Sequence, residues 1–337
     1  MTRKPTSLNV TILDVAAKAK VSKSTVSLVL KGSPLIPEET SKRVREAAAA
    51  LGYVYNRRAG EMRGQSSNTI GVVINDLMNP FFAELLVGLE RKLVEAGYIM
   101  LMAHTNESLE RQKEVLISMR EHNVAGIALC PALGTPSSLI KDVESWRIPL
   151  VVMIRTLGRG SYDFAGSDNK LGVKMATQHL LSAGHRRIGF LGGRTGPVIE
   201  QRMGGYKTAL AEAGIPFDES LVFSSSPTRA GGHDTMLRML DTKPVIPAAV
   251  CYNDLMAVGA LSALGERGLR AGTDFALMGF DNVLDAEHSN PPLSTVDIQP
   301  NTLGEQAASL LLERIREPER PKQRYLAKPQ LALRQSA

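Results

Sequence analysis

A short segment near the N-terminus, SKSTVSLVL, combines hydrogen-bonding and apolar side chains at a spacing that suits contact with DNA bases. In a helix, Lys23, Ser24 and Leu28 point away from the apolar side that Val26 and Leu30 form. A lysine can donate to O6 and N7 of guanine, a serine hydroxyl can donate or accept, and a leucine can cover a thymine methyl group. The segment therefore predicts contacts with base edges in a major groove.

Three short helices are predicted to position these side chains. They run from about Ile12 to Ala19, from Ser22 to Leu30, and from about Glu38 to Leu51. Thr11 is a plausible N-cap of the first helix and Asp14 completes a weak capping box, while Pro37 and Gly52 bracket the third. Two such helices joined by a short turn form a helix-turn-helix, whose second helix enters the major groove. A generic three-helix packing unit is the alternative.

The basic residues are concentrated in the same part of the chain. Of the 40 Lys and Arg residues, 12 lie in residues 1–64, against 5 of the 34 Asp and Glu residues. The formal net charge of +6 therefore comes entirely from the first fifth of the 337 residues, and the remainder is nearly neutral. A small basic head on a neutral body is typical of a polyanion-binding module, although a solvated basic surface is possible.

The strings TILDVAAKAKVSKSTVSLVLKGS and TSKRVREAAAALGYVYNRRAGEMRG resemble the N-terminal domain of the LacI/GalR family of bacterial repressors. The most specific parts are VSKSTVS and LGYxxNxxA, and the resemblance continues over essentially the whole chain. The strings VCYN and NRRAGEMRG are most similar to maltose-regulon-type members. The resemblance implies an operator-specific transcription factor that responds to a small-molecule effector.

The segment NRRAGEMRG matches the hinge of that family, which the resemblance implies is a short helix that forms on operator DNA. Asn56 can cap this helix, Ala59 is small enough for two hinge helices to meet, and Met62 takes the position of an apolar wedge in the minor groove. Gly60 weakens the helix by about 0.5–1 kcal/mol relative to Ala. Alternatively, Met62 only fills a flexible linker. The predicted DNA-binding residues are Thr11, Ser22, Lys23, Ser24, Thr25, Ser27, Leu28, Lys31, Asn56, Arg57, Ala59, Met62 and Arg63.

From Thr69 onward, apolar runs alternate with amphipathic stretches. The runs are TIGVVIND, YIMLMAHT, VAGIALCP, PLVVMIR, RIGFLGG, LVFSS, AAVCYND and FALMGFD. Continuous apolar runs separated by helices indicate parallel sheets that are covered on both faces. The predicted fold class is an all-α helix-turn-helix head plus an α/β core of two Rossmann-like subdomains, which resembles the periplasmic-binding-protein type I fold that the family carries.

The expected domain boundaries follow from these runs and from the resemblance. A helix-turn-helix domain is expected at 1–54, a hinge helix and linker at 55–68, and an effector-binding and dimerisation core at 69–337. The first subdomain of the core would comprise about 70–166 and 299–325, and the second about 167–298 and 326–337.

Ligands of such sheets bind beyond the carboxyl ends of the strands. The stretch from Asn79 to Phe82 is similar to the NPFF stretch of the family, in which the resemblance implies that the aromatic rings contact the effector. Aromatic faces beside hydrogen-bonding groups suit a sugar or a nucleobase. Alternatively, Phe81 and Phe82 simply begin a buried helix. Asn79, Phe81 and Phe82 are predicted effector-binding residues.

Three further effector contacts are implied by family motifs in the second half. Arg202 matches the Arg of RxxGY, Asn253 the Asn of NDxMAxGA, and Asp281 the Asp of GFDN. An Arg donates through a planar fork, an ionised Asp accepts two hydroxyl hydrogens, and Asn does both. Alternatively, Asp281 and the neighbouring Asp254 only cap helices, and a capping role is expected for Asp254.

The chain departs from the family pattern at two positions. Many members of the family carry Asp-Arg at the end of the strand before the crossover, where this chain has Ile154 and Arg155. Many carry Gln at the position of Ile298. One effector contact of the relatives is therefore expected to be missing.

Motifs for catalysis or for cofactor binding do not occur. The sequence has no GxGxxG after a strand, no GxxxxGK[ST], no GxSxG and no HExxH. The six histidines lack the spacing of metal ligands, and Cys130 and Cys251 lie in apolar runs, which indicates buried thiols. We expect no enzymatic activity, no metal and no cofactor.

The function predicted from the sequence is effector-controlled, operator-specific regulation of transcription, as a repressor. A sugar-binding transport receptor shares the fold but would need an export signal and no basic head, and a Rossmann-type enzyme would need catalytic residues. The expected partners are operator double-stranded DNA, a small-molecule effector for which a sugar is favoured over a purine, and a second copy of the chain. A homodimer is expected instead of a tail-joined tetramer, because the last residues show no heptad-like pattern. No membrane partner is expected, and the expected location is the cytoplasm.

Overall fold

The computed structural model describes residues 10–30, 32–53, 67–158, 160–193 and 195–337. The chain divides into two compact units, residues 1–66 and residues 67–337. Within the described ranges, no helix combines the length and the apolar character that crossing a membrane requires.

The described residues of the first unit form three helices in the order predicted from the sequence. They are α1 (Ile12–Ala19), α2 (Lys23–Leu30) and α3 (Glu38–Leu51). Val15, Val26 and Val44, one from each helix, have no exposed surface and form the centre of a small apolar core. The Nε of Arg43 on α3 donates to the carbonyl oxygen of Ala19 at 3.0 Å, which fixes α3 against the end of α1.

The second unit alternates strands and helices along the chain. Its strands are β1 (Thr69–Ile74), β2 (Ile99–His104), β3 (Gly126–Leu129), β4 (Leu150–Met153), β5 (Asp163–Ser167), β6 (Ile188–Leu191), β7 (Val222–Phe223), β8 (Ala248–Cys251), β9 (Ala276–Asp281), β10 (Ser294–Asp297), β11 (Arg324–Ala327) and β12 (Gln330–Ala332). Its helices are α4 (Pro80–Glu95), α5 (Leu109–Glu121), α6 (Ser138–Ser145), α7 (Asn169–Ser182), α8 (Pro197–Glu212), α9 (Arg229–Leu240), α10 (Asp254–Glu266), α11 (Leu284–His288) and α12 (Pro300–Arg316).

The strands form two sheets with the same internal order. The first sheet is ordered β2-β1-β3-β4-β5-β11, and the second is ordered β7-β6-β8-β9-β10-β12. All neighbours pair in parallel except β10 and β12, which are antiparallel. In each sheet the order reverses beside the first strand, between β1 and β3 and between β6 and β8. Such a reversal opens a crevice at the carboxyl ends of the strands, where ligands of these folds bind.

We call the first sheet with α4, α5, α6 and α12 the first lobe, and the second sheet with α7 to α11 the second lobe. The chain passes between the lobes after β5, after β10 and between β11 and β12. Three crossings mean that each lobe is assembled from separate stretches of sequence.

The eight apolar runs all contain strands, and the expected fold class of two parallel α/β lobes is confirmed. The short strands β5, β10, β11 and β12 were not among the predicted runs, because they contain small and polar residues. Strand β11 pairs with β5 as far as Ala327, so it extends two residues past the expected boundary at 325. Cys130 and Cys251 are buried free thiols, as predicted.

Candidate functional site

The predicted recognition helix α2 presents its polar tip to solvent. Ser22, Lys23 and Ser24 are exposed, and 36% of the surface of Leu28 is accessible, whereas Val26 and Val29 are buried. Thr25 and Ser27 are half-buried. The two faces of α2 thus divide as the sequence pattern predicts.

Local hydrogen bonds fix the beginning of both helices of the motif. The backbone N–H of Thr25 donates to Oγ of Ser22 at 3.0 Å, so Ser22 caps α2. The backbone N–H and the hydroxyl of Thr11 both donate to Oδ2 of Asp14, at 2.8 and 2.7 Å, which forms the predicted capping contact of α1. Such caps contribute about 0.5–2 kcal/mol to the stability of a helix and set its first turn.

Part of the predicted DNA-binding set lies outside the described residues. These residues are Lys31, Asn56, Arg57, Ala59, Met62 and Arg63. The predicted hinge therefore stays a prediction.

A cleft of about 650 Å³ lies in the second unit, lined from both lobes. The predicted effector-binding residues all line it: Asn79, Phe81 and Phe82 from the first lobe, and Arg202, Asn253 and Asp281 from the second. The tertiary structure thus brings together residues that are up to 202 positions apart in the sequence. The volume lies within the range of about 300–1,000 Å³ that is usual for small-molecule sites.

The aromatic wall of the cleft is the beginning of α4. The rings of Phe81 and Phe82 meet edge to face, with centroids 5.2 Å apart, and both side chains are buried. Oδ1 of Asn79 accepts from the backbone N–H of Phe81 at 3.1 Å and caps the helix. The two phenylalanines therefore begin a buried helix and also line the cleft, and their contact with an effector stays a prediction.

Arg202 on α8 is held on several sides. Its Nε donates to Oδ1 of Asn169 at 2.9 Å, and Nη1 donates to the carbonyl oxygen of Tyr252. Its guanidinium carbon lies 3.7 Å from the ring centroid of Phe280 and 4.6 Å from that of Tyr252. Desolvated cation–π contacts of this kind contribute about 2 kcal/mol. The planar guanidinium is therefore fixed in one orientation at the cleft wall.

Asp281, the last residue of β9, pairs with this guanidinium. Nη2 of Arg202 lies 3.3 Å from Oδ1 of Asp281, and both side chains are buried. Burial raises the pKa of Asp281 to about 7, although the charge of Arg202 acts to lower it. No described residue donates to Oδ2 of Asp281. This oxygen is therefore an acceptor at the cleft wall to which a ligand can donate.

Asn253, not Asp254, caps α10. The backbone N–H of Met256 donates to Oδ1 of Asn253 at 2.9 Å, which leaves the Nδ2 amide of Asn253 for a ligand. The expected capping role of Asp254 is wrong. This carboxylate is fully buried, accepts from the hydroxyl of Thr295, and accepts from the backbone N–H of Val283 at 3.0 Å. Burial raises the pKa of Asp254 to about 6, and those hydrogen bonds act to lower it.

A second ion pair lines the first lobe, and the sequence did not predict it. Nη1 and Nη2 of Arg155 lie 2.7 Å from Oε2 and Oε1 of Glu107, respectively. The two oxygens of Glu107 also accept from Nδ2 of Asn75 at 2.7 Å and from the backbone N–H of Leu133 at 2.8 Å. Burial acts to raise the pKa of Glu107, but the hydrogen bonds and charge of Arg155 hold it below its ordinary value.

The position of Asn75 directly after β1 could have indicated a site residue, because side chains at that end of a parallel strand face the crevice. No sequence signal marked Glu107, which lies in the loop before α5. Ile298 is buried and adds apolar surface to the cleft.

Several non-glycine residues at the cleft have left-handed backbones. The φ angles are 50° at Asn106, 62° at Glu107, 64° at Ile154, and 119° at Asp281. A β-branched residue such as Ile154 rarely adopts this conformation, and each such residue costs of the order of 1–3 kcal/mol. Residues of this kind concentrate at ligand sites, where the surrounding structure holds them.

The arrangement suits binding rather than catalysis. The cleft combines fixed guanidiniums, a carboxylate oxygen and an amide with aromatic rings. In the part of the chain that the structure describes, no group of three or more His, Cys, Asp or Glu side chains is placed to hold a metal ion.

Two family models match the chain. Residues 11–56 match the model of bacterial regulatory proteins of the lacI family, and residues 177–337 match that of a periplasmic binding protein-like domain. The first match covers the helix-turn-helix, and the second covers most of the second lobe together with α12 and β11.

Relatives match over most of the chain. The maltose regulon regulatory protein MalI of Escherichia coli (strain K12) is 33% identical over 88% of this chain and 86% of its own length. The ribose operon repressor of Haemophilus influenzae is 32% identical over 97% of this chain and 98% of its own length. The solved structure of a transcriptional regulator CelR–cellobiose complex has 30% identity and a TM-score of 0.75, and covers 97% of this chain and 100% of that chain.

These relatives are regulators of transcription and not enzymes, which confirms the interpretation drawn from the missing catalytic motifs. The helix-turn-helix, the two-lobed core and identity above 30% along nearly the full length agree with one another. The chain belongs to the LacI family of bacterial transcriptional regulators.

Proposed function

We propose that this regulator represses transcription by binding operator double-stranded DNA as a homodimer, and that a sugar or sugar derivative in the cleft controls its operator affinity. The observation that carries the proposal is the cleft itself, where hydrogen-bond donors and acceptors lie beside aromatic rings. The same chain also contains a helix-turn-helix. The effector would act by binding one arrangement of the two lobes more tightly than another.

The exposed tip of α2 supports the DNA-binding half of the proposal. Lys23 and Ser24 are exposed, so neither is needed to hold the head together. With Leu28 they form a surface that can contact base edges. The remaining predicted contacts, including Thr11, Lys31 and the hinge residues, would bind phosphates and the minor groove.

The chemistry of the cleft supports a sugar. Oδ2 of Asp281 would accept from ligand hydroxyls, while Nδ2 of Asn253 and the guanidinium of Arg202 would donate to them. The rings of Phe81 and Phe82 would contact the apolar face of a pyranose or furanose. Maltose, ribose and cellobiose appear in the names of the relatives described above, which agrees with a saccharide.

An exposed apolar strand supports the homodimer. Strand β2 lies at the edge of the first sheet, and Ile99, Leu101 and Met102 are exposed by 58%, 38% and 37%. The neighbouring helix α4 exposes Val87 and Val94. A long apolar edge strand is a hazard for a monomer unless another chain covers it. A second copy is the proposed occupant, since a two-fold dimer matches the two half-sites of an operator.

We also propose the domain assignment of 1–54 for DNA binding, 55–68 for the hinge and linker, and 69–337 for the core. The proposed location is the cytoplasm, where bacterial DNA lies. Neither a metal nor a cofactor is needed for this function.

The test is a DNA-binding titration on genomic fragments, followed by the same titration in the presence of maltose, ribose, cellobiose and other saccharides. The expected result is specific binding that a saccharide changes and that removal of residues 1–64 abolishes. Specific binding by the truncated core, or an operator affinity that no saccharide changes, would contradict the proposal.

A further inference from the structure

This inference rests on the proposed effector function and concerns the charge of the effector. Among the described residues, the cleft wall contains three guanidiniums, from Arg155, Arg202 and Arg229, and no lysine or histidine. All three guanidiniums are paired with carboxylates. Arg155 pairs with Glu107, Arg202 pairs with Asp281, and Arg229 pairs with Asp285.

A further carboxylate, Asp76, lines the same cleft. Its Oδ1 accepts from the backbone N–H of Met78 at 2.8 Å, and no described cation pairs with it. The described wall therefore has no excess of positive charge. A phosphorylated or carboxylated ligand would lose its hydration on entry without meeting an unpaired cation, which is unfavourable.

Of these three ion pairs, the pair of Arg155 and Glu107 has the most hydrogen bonds to other groups. Each oxygen of Glu107 contacts one terminal nitrogen of Arg155 and one further donor, Nδ2 of Asn75 for Oε1 and the N–H of Leu133 for Oε2. Nη1 of Arg155 also donates to the carbonyl oxygen of Pro131 at 3.1 Å. Glu107 thus has no lone pair to spare for a ligand, and its role in the cleft is to neutralise and orient Arg155.

Arg155 keeps donors for a neutral ligand. Its Nε has no hydrogen-bond partner among the described residues, and Arg155 lines the cleft. A neutralised guanidinium still donates to a hydroxyl oxygen, but its attraction for an anion is largely cancelled by the carboxylate beside it.

We propose that the cleft takes an uncharged polyhydroxylated effector and excludes phosphorylated and acidic sugars, and that Glu107 is a specificity-determining residue because it neutralises Arg155. Glu107 reaches Arg155 from a loop 48 residues earlier in the chain.

The test compares anion binding by the full chain and by Glu107→Gln, which removes the charge of Glu107 but keeps its size. Inorganic phosphate is titrated at constant ionic strength, and binding is measured by calorimetry and by thermal shift. We expect no saturable binding to wild type up to about 10 mM, and a site at least about ten-fold tighter in Glu107→Gln. The control is Glu305→Gln, which leaves Arg91 unpaired on an exposed surface and should gain no such site.

Saturable phosphate binding by wild type, or no gain in a folded Glu107→Gln variant, would overturn the proposal. If Glu107→Gln does not fold, the test uses wild type alone. Its binding of glucose is compared with that of glucose 6-phosphate, and its binding of ribose with that of ribose 5-phosphate. A phosphate ester that binds more tightly than its parent sugar overturns the proposal, and failure of both esters to bind at about 10 mM supports it. These measurements use no DNA, so they can fail independently of the proposed control of operator affinity.

Discussion

The carboxylate of Asp254 occupies the space that a side chain on Gly279 would need. An ideal Cβ on Gly279 would overlap Oδ1 of Asp254, the oxygen that accepts from the hydroxyl of Thr295. Oδ2 accepts from the backbone N–H of Val283. One buried carboxylate thus ties the start of α10 to Thr295 in β10 and to the backbone that follows β9, and so supports the backbone beside Asp281.

Replacing Gly279 by Ala should lower the free energy of unfolding by about 1–3 kcal/mol, because the added methyl group displaces a fully buried carboxylate. The measurement is urea unfolding of the variant and of wild type. Gly265→Ala is the matched control, since nothing lies within 4 Å of a Cβ at this helical position. It should be neutral or stabilising by up to about 1 kcal/mol. Equal effects of the two substitutions would show that the space at Gly279 is not limiting.

Stability should fall as pH rises from about 4 to 7. Burial raises the pKa of Asp254 to about 6 and that of Asp281 to about 7, above the ordinary value of 3.8. The folded protein therefore holds more protons than the unfolded chain in this range, and the loss levels off above it. Asp254→Asn should flatten the dependence of the unfolding free energy on pH.

The control for the pH measurement is Asp241→Asn. Hydrogen bonds from Arg267 lower the pKa of Asp241, so this carboxyl is ionised in both states between pH 5 and 7 and its removal should leave the slope unchanged. A slope that Asp254→Asn does not alter would mean that this carboxyl titrates alike in the folded and unfolded chain.

Asp281→Ala should weaken effector binding by about 2 kcal/mol or more, because a ligand hydroxyl loses its acceptor. Operator affinity without effector should change little, since the predicted DNA contacts all precede residue 65. Titrations of operator DNA with and without effector separate the two effects, and Asp281→Asn repeats them without a change of volume. If Asp281→Ala responds to effector as wild type does, Asp281 has only a structural role.

Leu28→Arg should shift operator preference toward guanine, by about 1–3 kcal/mol for a bidentate contact. The measurement is selection of binding sites from randomised DNA. Leu35→Arg adds the same charge at an exposed position between α2 and α3, and should raise affinity for all sequences alike. An unchanged preference for Leu28→Arg would mean that another surface contacts the bases.

Leu101→Glu should dissociate the proposed homodimer, because a buried carboxylate would be unpaired in an interface at β2. Sedimentation equilibrium gives the oligomeric state, and operator affinity should fall with it. Val245→Glu makes the same exchange at another exposed apolar residue and should leave both quantities unchanged. A dimer of unaltered stability in Leu101→Glu would place the interface elsewhere.

Local patterns in the sequence were sufficient to predict the three described helices of the first unit and eight of the twelve described strands of the second. The caps at Thr11 and Ser22, the apolar stripe of Val26 and Val29, and the alternation of apolar runs with helices all depend on residues a few positions apart. Propensity and capping act over that distance, so they can be predicted from the sequence. The family motifs likewise marked Arg202, Asn253 and Asp281, all of which line the cleft.

The tertiary structure alone decided which charges meet. Glu107 reaches Arg155 across 48 residues from a loop with a left-handed backbone, and Arg202 reaches Asp281 across 79. Asp254 has the spacing of a helix cap, yet it is buried against β9 and β10 while Asn253 caps α10. Such pairings depend on the order of strands in two sheets and on a chain that crosses three times between them. Periodicity along the sequence carries no information about which strand ends become neighbours, because long-range packing selects them.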